Sequence, residues 1–148
     1  METIERATDI EAPPGRVWQI LIATDDYDQW NPFITRLDGH FAAGSRLTVT
    51  IKSGNRQATF RPTVLAVEEG RLIRWRGRVG VRGIFDGEHE LRLEELAGGL
   101  TRFTQRETFS GVLVPFVHRM LDDTETGFTR MNAALRSRAV GSPSSVPR

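Results

Sequence analysis

LIRWRGRVGVRGIFDGEHELRLE, residues 72–94, has a period of two almost from end to end. Ile73, Trp75 and Val79 alternate with Arg74, Arg76 and Arg78. Past the spacer Gly80–Gly83, Phe85, Gly87, His89, Leu91 and Leu93 alternate with Asp86, Glu88, Glu90, Arg92 and Glu94. Strict alternation marks a strand with one buried and one wet face. A short glycine-bearing spacer between two such runs marks a hairpin. Folding the two runs together sets the three arginines across from Asp86, Glu88 and Glu90. Opposite charges on neighbouring strands contribute about 0.2–1 kcal/mol each and help to fix register. A row of arginines can also hold phosphate, but the partner acids favour a solvated sheet face.

The same period runs outward on both sides. Downstream, after Gly98-Gly99, Phe103, Gln105, Glu107 and Phe109 oppose Arg102, Thr104, Arg106 and Thr108. Upstream, Leu47, Val49 and Ile51 alternate with Thr48, Thr50 and Lys52. Ser53-Gly54-Asn55 and Glu69-Gly70 are turn signals between runs. Residues 34–110 therefore predict an antiparallel meander with one solvated face.

Helical patterns flank the meander. Residues 3–10 predict a first strand. Pro13 and Pro14 suit the opening of a helix carrying Val17, Ile20 and Leu21 on one face. Thr24 is a candidate N-cap for a second helix of about two turns, which Asn31-Pro32 ends. Tyr27 and Trp30 share a face of that helix. The stretch YDQWNPF, residues 27–33, thus reads as a structural corner, with the rim of a pocket as its other reading. From about Pro115 to Ala139, Val117, Leu121, Thr124, Phe128, Met131 and Leu135 step by four and three residues, the stripe of one long amphipathic helix. Residues 1–140 are expected to form a single domain and 141–148 a flexible tail.

Composition narrows the function. Of 148 residues, 20 are basic and 19 acidic, so no bulk charge draws nucleic acid to the chain. Cysteine is absent, which excludes disulfides, thiolate nucleophiles and thiolate-ligated zinc. No HExxH, GxGxxG, GxxxxGK[ST] or GxSxG occurs, and neither metal nor cofactor is expected. The N-terminus lacks the pattern of a signal peptide and no apolar run reaches the ~20 residues of a membrane span, so a cytoplasmic location is expected. The sequence leaves a homodimer open.

Strand, two short helices, about six further antiparallel strands and one long helix make an α+β chain with a sheet of six to seven strands in all. Its economical arrangement is a curved sheet gripping the C-terminal helix. The chain resembles the START/Bet v 1-like superfamily, specifically the polyketide cyclase/dehydrase-like SRPBCC group. IEAPPGRVWQIL at the first helix, YDQWNPFI at the corner, residues 72–94 in the sheet, TRFTQRETFSG and GFTRMNAALRSRA in the last helix carry the likeness, over roughly residues 3–139. The resemblance implies a helix-grip fold with a hydrophobic cavity, used for binding lipids, hormones or polyketides and, in some members, for cyclisation or dehydration.

Three polar side chains share the apolar inner face: His89, Gln105 and Glu107. Counting back from the turn at Gly98-Gly99 sets His89 opposite about position 108 and Leu91 opposite about 106. A His89–Glu107 pair could serve as general acid and base, with Glu107 orienting a His whose ordinary pKa suits proton transfer. It could equally anchor a ligand, or be a buried pair satisfying itself. Trp75, Phe85, Phe103, Phe109, Phe128 and Met131 complete the expected ligand-binding set. Binding of a hydrophobic or aromatic small molecule leads, with a cyclase/dehydratase using His89 and Glu107 as the alternative.

Overall fold

The computed structural model describes residues 1–79 and 83–141. The turn expected over Gly80–Gly83 therefore lies largely outside the described residues, as does the inward placement of Val79 and all of the tail after Gly141.

Strand β1 (Glu2–Ile10) leads into helix α1 (Pro14–Ile22), which Pro13 and Pro14 open as expected. The second helical segment has the predicted extent of about two turns but is broken in the middle. A 3-10 turn (Thr24–Asp26) precedes a single α turn, α2 (Tyr27–Trp30), and Thr24 caps neither with its side chain. The meander follows as β2 (Ile34–Asp38), β3 (Thr48–Ser53), β4 (Arg56–Phe60), β5 (Thr63–Glu68), β6 (Leu72–Val79), β7 (Phe85–Leu96) and β8 (Leu100–Ser110). Helix α3 (His118–Gly141) closes the fold, after a 3-10 turn at Val114–Phe116 that takes up the expected start at Pro115.

Among the described residues the strands form two hydrogen-bonded sheets, in the orders β1-β8-β7-β6-β5 and β2-β3-β4. Pro62 explains the division. It has no N–H to donate, and it falls between β4 and β5, where one strand passes from the smaller sheet to the larger. The seam is held by the Arg46–Thr63 bridge and by Leu47 N–H donating to the Pro62 carbonyl at 2.9 Å. Register slips between Val64 and Ala66 and between Ile34 and Arg36 add curvature.

Register in the larger sheet follows from its side chains. Arg74, Arg76 and Arg78 pair with Glu90, Glu88 and Asp86, as the charges require. Their ion pairs are long, 3.6–3.9 Å for the three direct partners, and partly exposed. They guide pairing more than they stabilise it. Leu96 pairs with Leu100, so the β7–β8 hairpin is centred on Gly98, half a residue from the expected point. Gly98 and Gly99 both take positive φ there, a conformation glycine adopts without a Cβ penalty. His89 consequently pairs with Glu107 and Leu91 with Gln105.

α3 packs chiefly on β1 and also meets α1, β3 and β8. Of its predicted stripe, Leu121, Thr124, Phe128, Met131 and Leu135 all face inward, while Val117 lies just before the helix and is half-buried. The corner at residues 27–33 is built from local bonds. Tyr27 O–H donates to the Leu21 carbonyl at 2.6 Å, and its ring meets Trp30 edge-on at 5.3 Å. Asn31 is extended, as the following proline demands. Its Oδ1 accepts from the N–H groups of Phe33 and Ile34, at 3.0 and 2.9 Å. The chain thereby turns from α2 into β2. No helix of the described residues is long and apolar enough to cross a membrane.

Candidate functional site: a cavity between the sheet and the last helix

The inner face of β6, β7 and β8 is a grid of paired residues. Ile73, Leu91 and Gln105 form one row; Trp75, His89 and Glu107 the next; Gly77, Gly87 and Phe109 the third. The third row lacks two side chains, and a hollow begins where they are missing. It is a cavity of about 280 Å³ between the sheets and the N-terminal half of α3. Phe85, Trp75 and Phe109 wall it from the larger sheet, Ile34, Val49, Ile51 and Phe60 from the smaller one, and Met120 and Thr124 from the helix. Phe33, the last residue of the corner, reaches it as well. It fits against α3 because Gly127 has no Cβ; one built there would fall 2.2 Å from the Phe33 ring.

The expected site residues divide into two groups. Trp75, Phe85, His89, Glu107 and Phe109 line the cavity. Phe103, Gln105, Phe128 and Met131 share the inward phase but lie outside its wall, fully buried in the core. Alternation sorts inside from outside; it does not sort filled space from empty space. The wall residues of the smaller sheet and the glycine pair were not singled out from sequence. Gly77 and Gly87 carried a usable signal, since a glycine in phase with inward-facing apolar residues leaves a gap beside its neighbours.

His89 is buried between rings. It stacks on Phe128 at 4.9 Å and meets Trp75 edge-on at 4.8 Å. Its Nε2 is bonded to Gln105 Oε1 at 3.0 Å, and Gln105 Nε2 donates to Asn132 Oδ1 on α3 at 2.8 Å. The hydrogen-bond partner of His89 is therefore Gln105 and not Glu107, although Glu107 is its strand neighbour. Burial pushes the imidazole pKa down to about 4, against the opposing pull of the Gln105 bond.

The Glu107 carboxyl has no hydrogen bond or ion pair among the described residues. Its Oε2 lies over Gly87, 2.6 Å from where a Cβ of that residue would stand. Burial pushes its carboxyl up to about 8. Near pH 7 His89 and Glu107 are thus predominantly uncharged, an imidazole free of its second proton and a carboxylic acid with an O–H to donate, while Arg78 at the wall is paired with Asp86.

A neighbouring depression of about 370 Å³ shares Phe33, Ile51, Ala58, Met120 and Thr124 with the cavity and carries Phe116, which is 79% exposed. It offers a route in from solvent. A larger depression, about 640 Å³, is a groove between β1 and α3 lined by Arg6, Thr129, Asn132 and Arg136. It is open to solvent and lies away from His89 and Glu107, so the smaller internal cavity is the better candidate.

A curved antiparallel sheet closed on a long C-terminal helix is the architecture of START-like proteins. The chain belongs to the family described as polyketide cyclase/dehydrase and lipid transport, whose model matches residues 1–139. The Zhui aromatase/cyclase from Streptomyces sp. R1128 superposes with a TM-score of 0.77 at 13% identity, over 95% of this chain and 94% of that chain. A START superfamily protein from Mycobacterium smegmatis gives 0.69 at 18% identity, over 93% and 96%. A Mesorhizobium loti protein gives 0.74 at 18% identity, over 92% and 95%. Identities this low speak for the fold alone. A comparison with curated protein sequences gives no match.

Proposed function

We propose that the protein binds an uncharged aromatic or otherwise hydrophobic small molecule in the cavity between its sheets and α3. The observation that carries this is the make-up of the wall: mostly aromatic and aliphatic side chains surround His89 and Glu107, both held neutral near pH 7, and the arginine at its edge, Arg78, is engaged by Asp86. An ion would lose its hydration there, and the cationic residue at the wall, Arg78, is already paired with Asp86 at 3.6 Å. A volume of about 280 Å³ is at the small end for a ligand site and suits one or two fused rings. The family's association with polyketides and lipids supports the same class of ligand.

Thermal-shift and native mass spectrometry with naphthalene-sized neutral compounds, their carboxylate analogues and short fatty acids test the proposal. Saturable stabilisation by the neutral aromatics, with little from the carboxylates, is expected. Equal response to both, or to neither, would overturn it.

One observation favours a second reading, a cyclase or dehydratase. A carboxyl held protonated near neutrality beside an unprotonated imidazole has the states of a general acid and base. In a dehydration, His89 would take the proton α to a carbonyl as the C=C bond forms. Glu107 would protonate the hydroxyl that leaves as water. An imidazole with its pKa near 4 is a feeble base, which is why binding stands first. With a poly-β-ketone thioester as substrate, Glu107→Gln should then cut turnover by about 100-fold or more while binding persists. Undiminished turnover in that variant would remove Glu107 from the mechanism.

A further inference from the structure

The inner polar residues are not an isolated pair but one end of a chain of bonds across the core. His89 on β7, Gln105 on β8 and Asn132 on α3 are each under 5% exposed. The chain has a direction. Gln105 has one carbonyl oxygen and one NH₂ group, and its NH₂ is taken by Asn132 Oδ1. The carbonyl is what remains for His89, and a carbonyl only accepts. With Gln105 in this orientation, His89 carries its proton on Nε2. Its other nitrogen, Nδ1, is left as a bare acceptor, with no hydrogen bond among the described residues. The Glu107 carboxyl, on the neighbouring strand of the same face, has no partner either and contributes an O–H.

We infer that Asn132, acting through Gln105, sets His89 in its Nε2–H tautomer, so that the cavity presents an acceptor at His89 Nδ1 beside a donor at Glu107 and selects ligands bearing a hydroxyl group. Directly paired residues on one sheet face stand about 4.5–5.5 Å apart at Cβ. A phenol or enol can therefore donate to Nδ1 while one of its oxygens accepts from Glu107. A ring of the same shape without the hydroxyl leaves both groups unsatisfied. Asn132 and Gln105 are positioning residues: Gln105 is absent from the cavity wall, and Asn132 borders the outer groove. Selection of a hydroxylated ring rests on the ligand-binding proposal above. The tautomer does not.

Long-range ¹H–¹⁵N correlation NMR of the ligand-free protein near pH 7 reads the His89 tautomer directly. The Nε2–H form is expected in the wild type and in Asn132→Asp, whose carboxylate still accepts from Gln105. In Asn132→Leu and Gln105→Met the pure form should give way to a mixture. A wild-type spectrum of the Nδ1–H form would overturn the inference without any variant. Persistence of the wild-type pattern in both Asn132→Leu and Gln105→Met would do the same. For selection, 2-naphthol is compared with 2-methoxynaphthalene, which keeps the rings but cannot donate. The naphthol should bind about tenfold more tightly and shift the Nδ1 resonance. Equal affinity would overturn the selection. If neither compound binds, the proposed function fails, while the tautomer measurement still judges the chain of bonds on its own.

Discussion

One half of α3 covers solid core and the other covers a hollow. From Phe128 onward the helix buries Phe128, Met131, Leu135 and Ala139, and the sheet supplies Ile73, Leu91 and Phe103, almost all without measurable exposure. Before Phe128, the helix offers Met120 and the short Thr124, and the sheet offers Gly77 and Gly87. Hydrophobicity alone does not separate the halves, since both are lined by apolar atoms. Side-chain volume does. The polar residues lie where the two regimes meet, with His89 stacked on Phe128 and bonded through Gln105 into the packed half, and Glu107 facing the empty one.

The largest expected effect comes from emptying the packed half. Phe128→Ala should cost about 3–5 kcal/mol in urea denaturation, because a large buried ring leaves a void its neighbours cannot close. A loss under about 1 kcal/mol would mean that this half is no tighter than the other.

Next comes the titration of the boundary. Folded Glu107, with its pKa raised from 4.5 to about 8, keeps a proton that the unfolded chain loses. Its contribution to stability is present below pH 4.5 and disappears as pH rises through 8. Folded His89, lowered from 6.5 to about 4, refuses a proton that the unfolded chain takes up. That contribution is complete above pH 6.5 and is lost as pH falls through 4. The two oppose each other between pH 4.5 and 6.5, so Tm should be nearly level there, decline from 6.5 to 8, and decline again below 4.5. Glu107→Gln should remove the alkaline decline, a difference on the order of several degrees at pH 8. A variant whose profile still parallels the wild type would place Glu107 in contact with bulk water.

Filling the hollow is the sharper test of function. Gly87→Val puts a side chain that suits a strand into the cavity floor, and only the movable Glu107 carboxyl stands within 3 Å of the new Cβ. The variant should fold, and its affinity for an aromatic ligand should fall about tenfold or more by calorimetry, through loss of space and displacement of Glu107. Unchanged affinity would put the binding site elsewhere. The smallest effect belongs to the wet face. Arg76→Ser loses only a half-exposed ion pair of 3.9 Å and should shift stability by no more than about 0.5–1 kcal/mol, less in high salt.

Residues that repeat with a period were legible, and residues that matter singly were not. The alternation in β6, β7 and β8 predicted which side chains turn inward, and facing charges predicted that the arginines of β6 meet the acids of β7. The stripe on α3 was correct down to Thr124. What failed was local. Thr24 promised a cap, but the chain tightens into a 3-10 turn there, and Pro62 divides the sheet through a backbone donor it lacks. His89 was matched with its neighbour across the strand, while its hydrogen bond runs along the diagonal to Gln105.

Sequence by itself determined the elements, their order and the faces they bury, because backbone period and side-chain polarity act at short range and repeat often enough to be read. The tertiary structure alone decided where the interior is empty, which polar groups find partners, and that His89 and Glu107 stay uncharged near neutrality. Those outcomes depend on the volumes and dipoles that distant segments bring together. Asn132 is 27 residues from the glutamine it bonds, and Gly77 and Gly87 open a cavity only because β6 and β7 set them side by side.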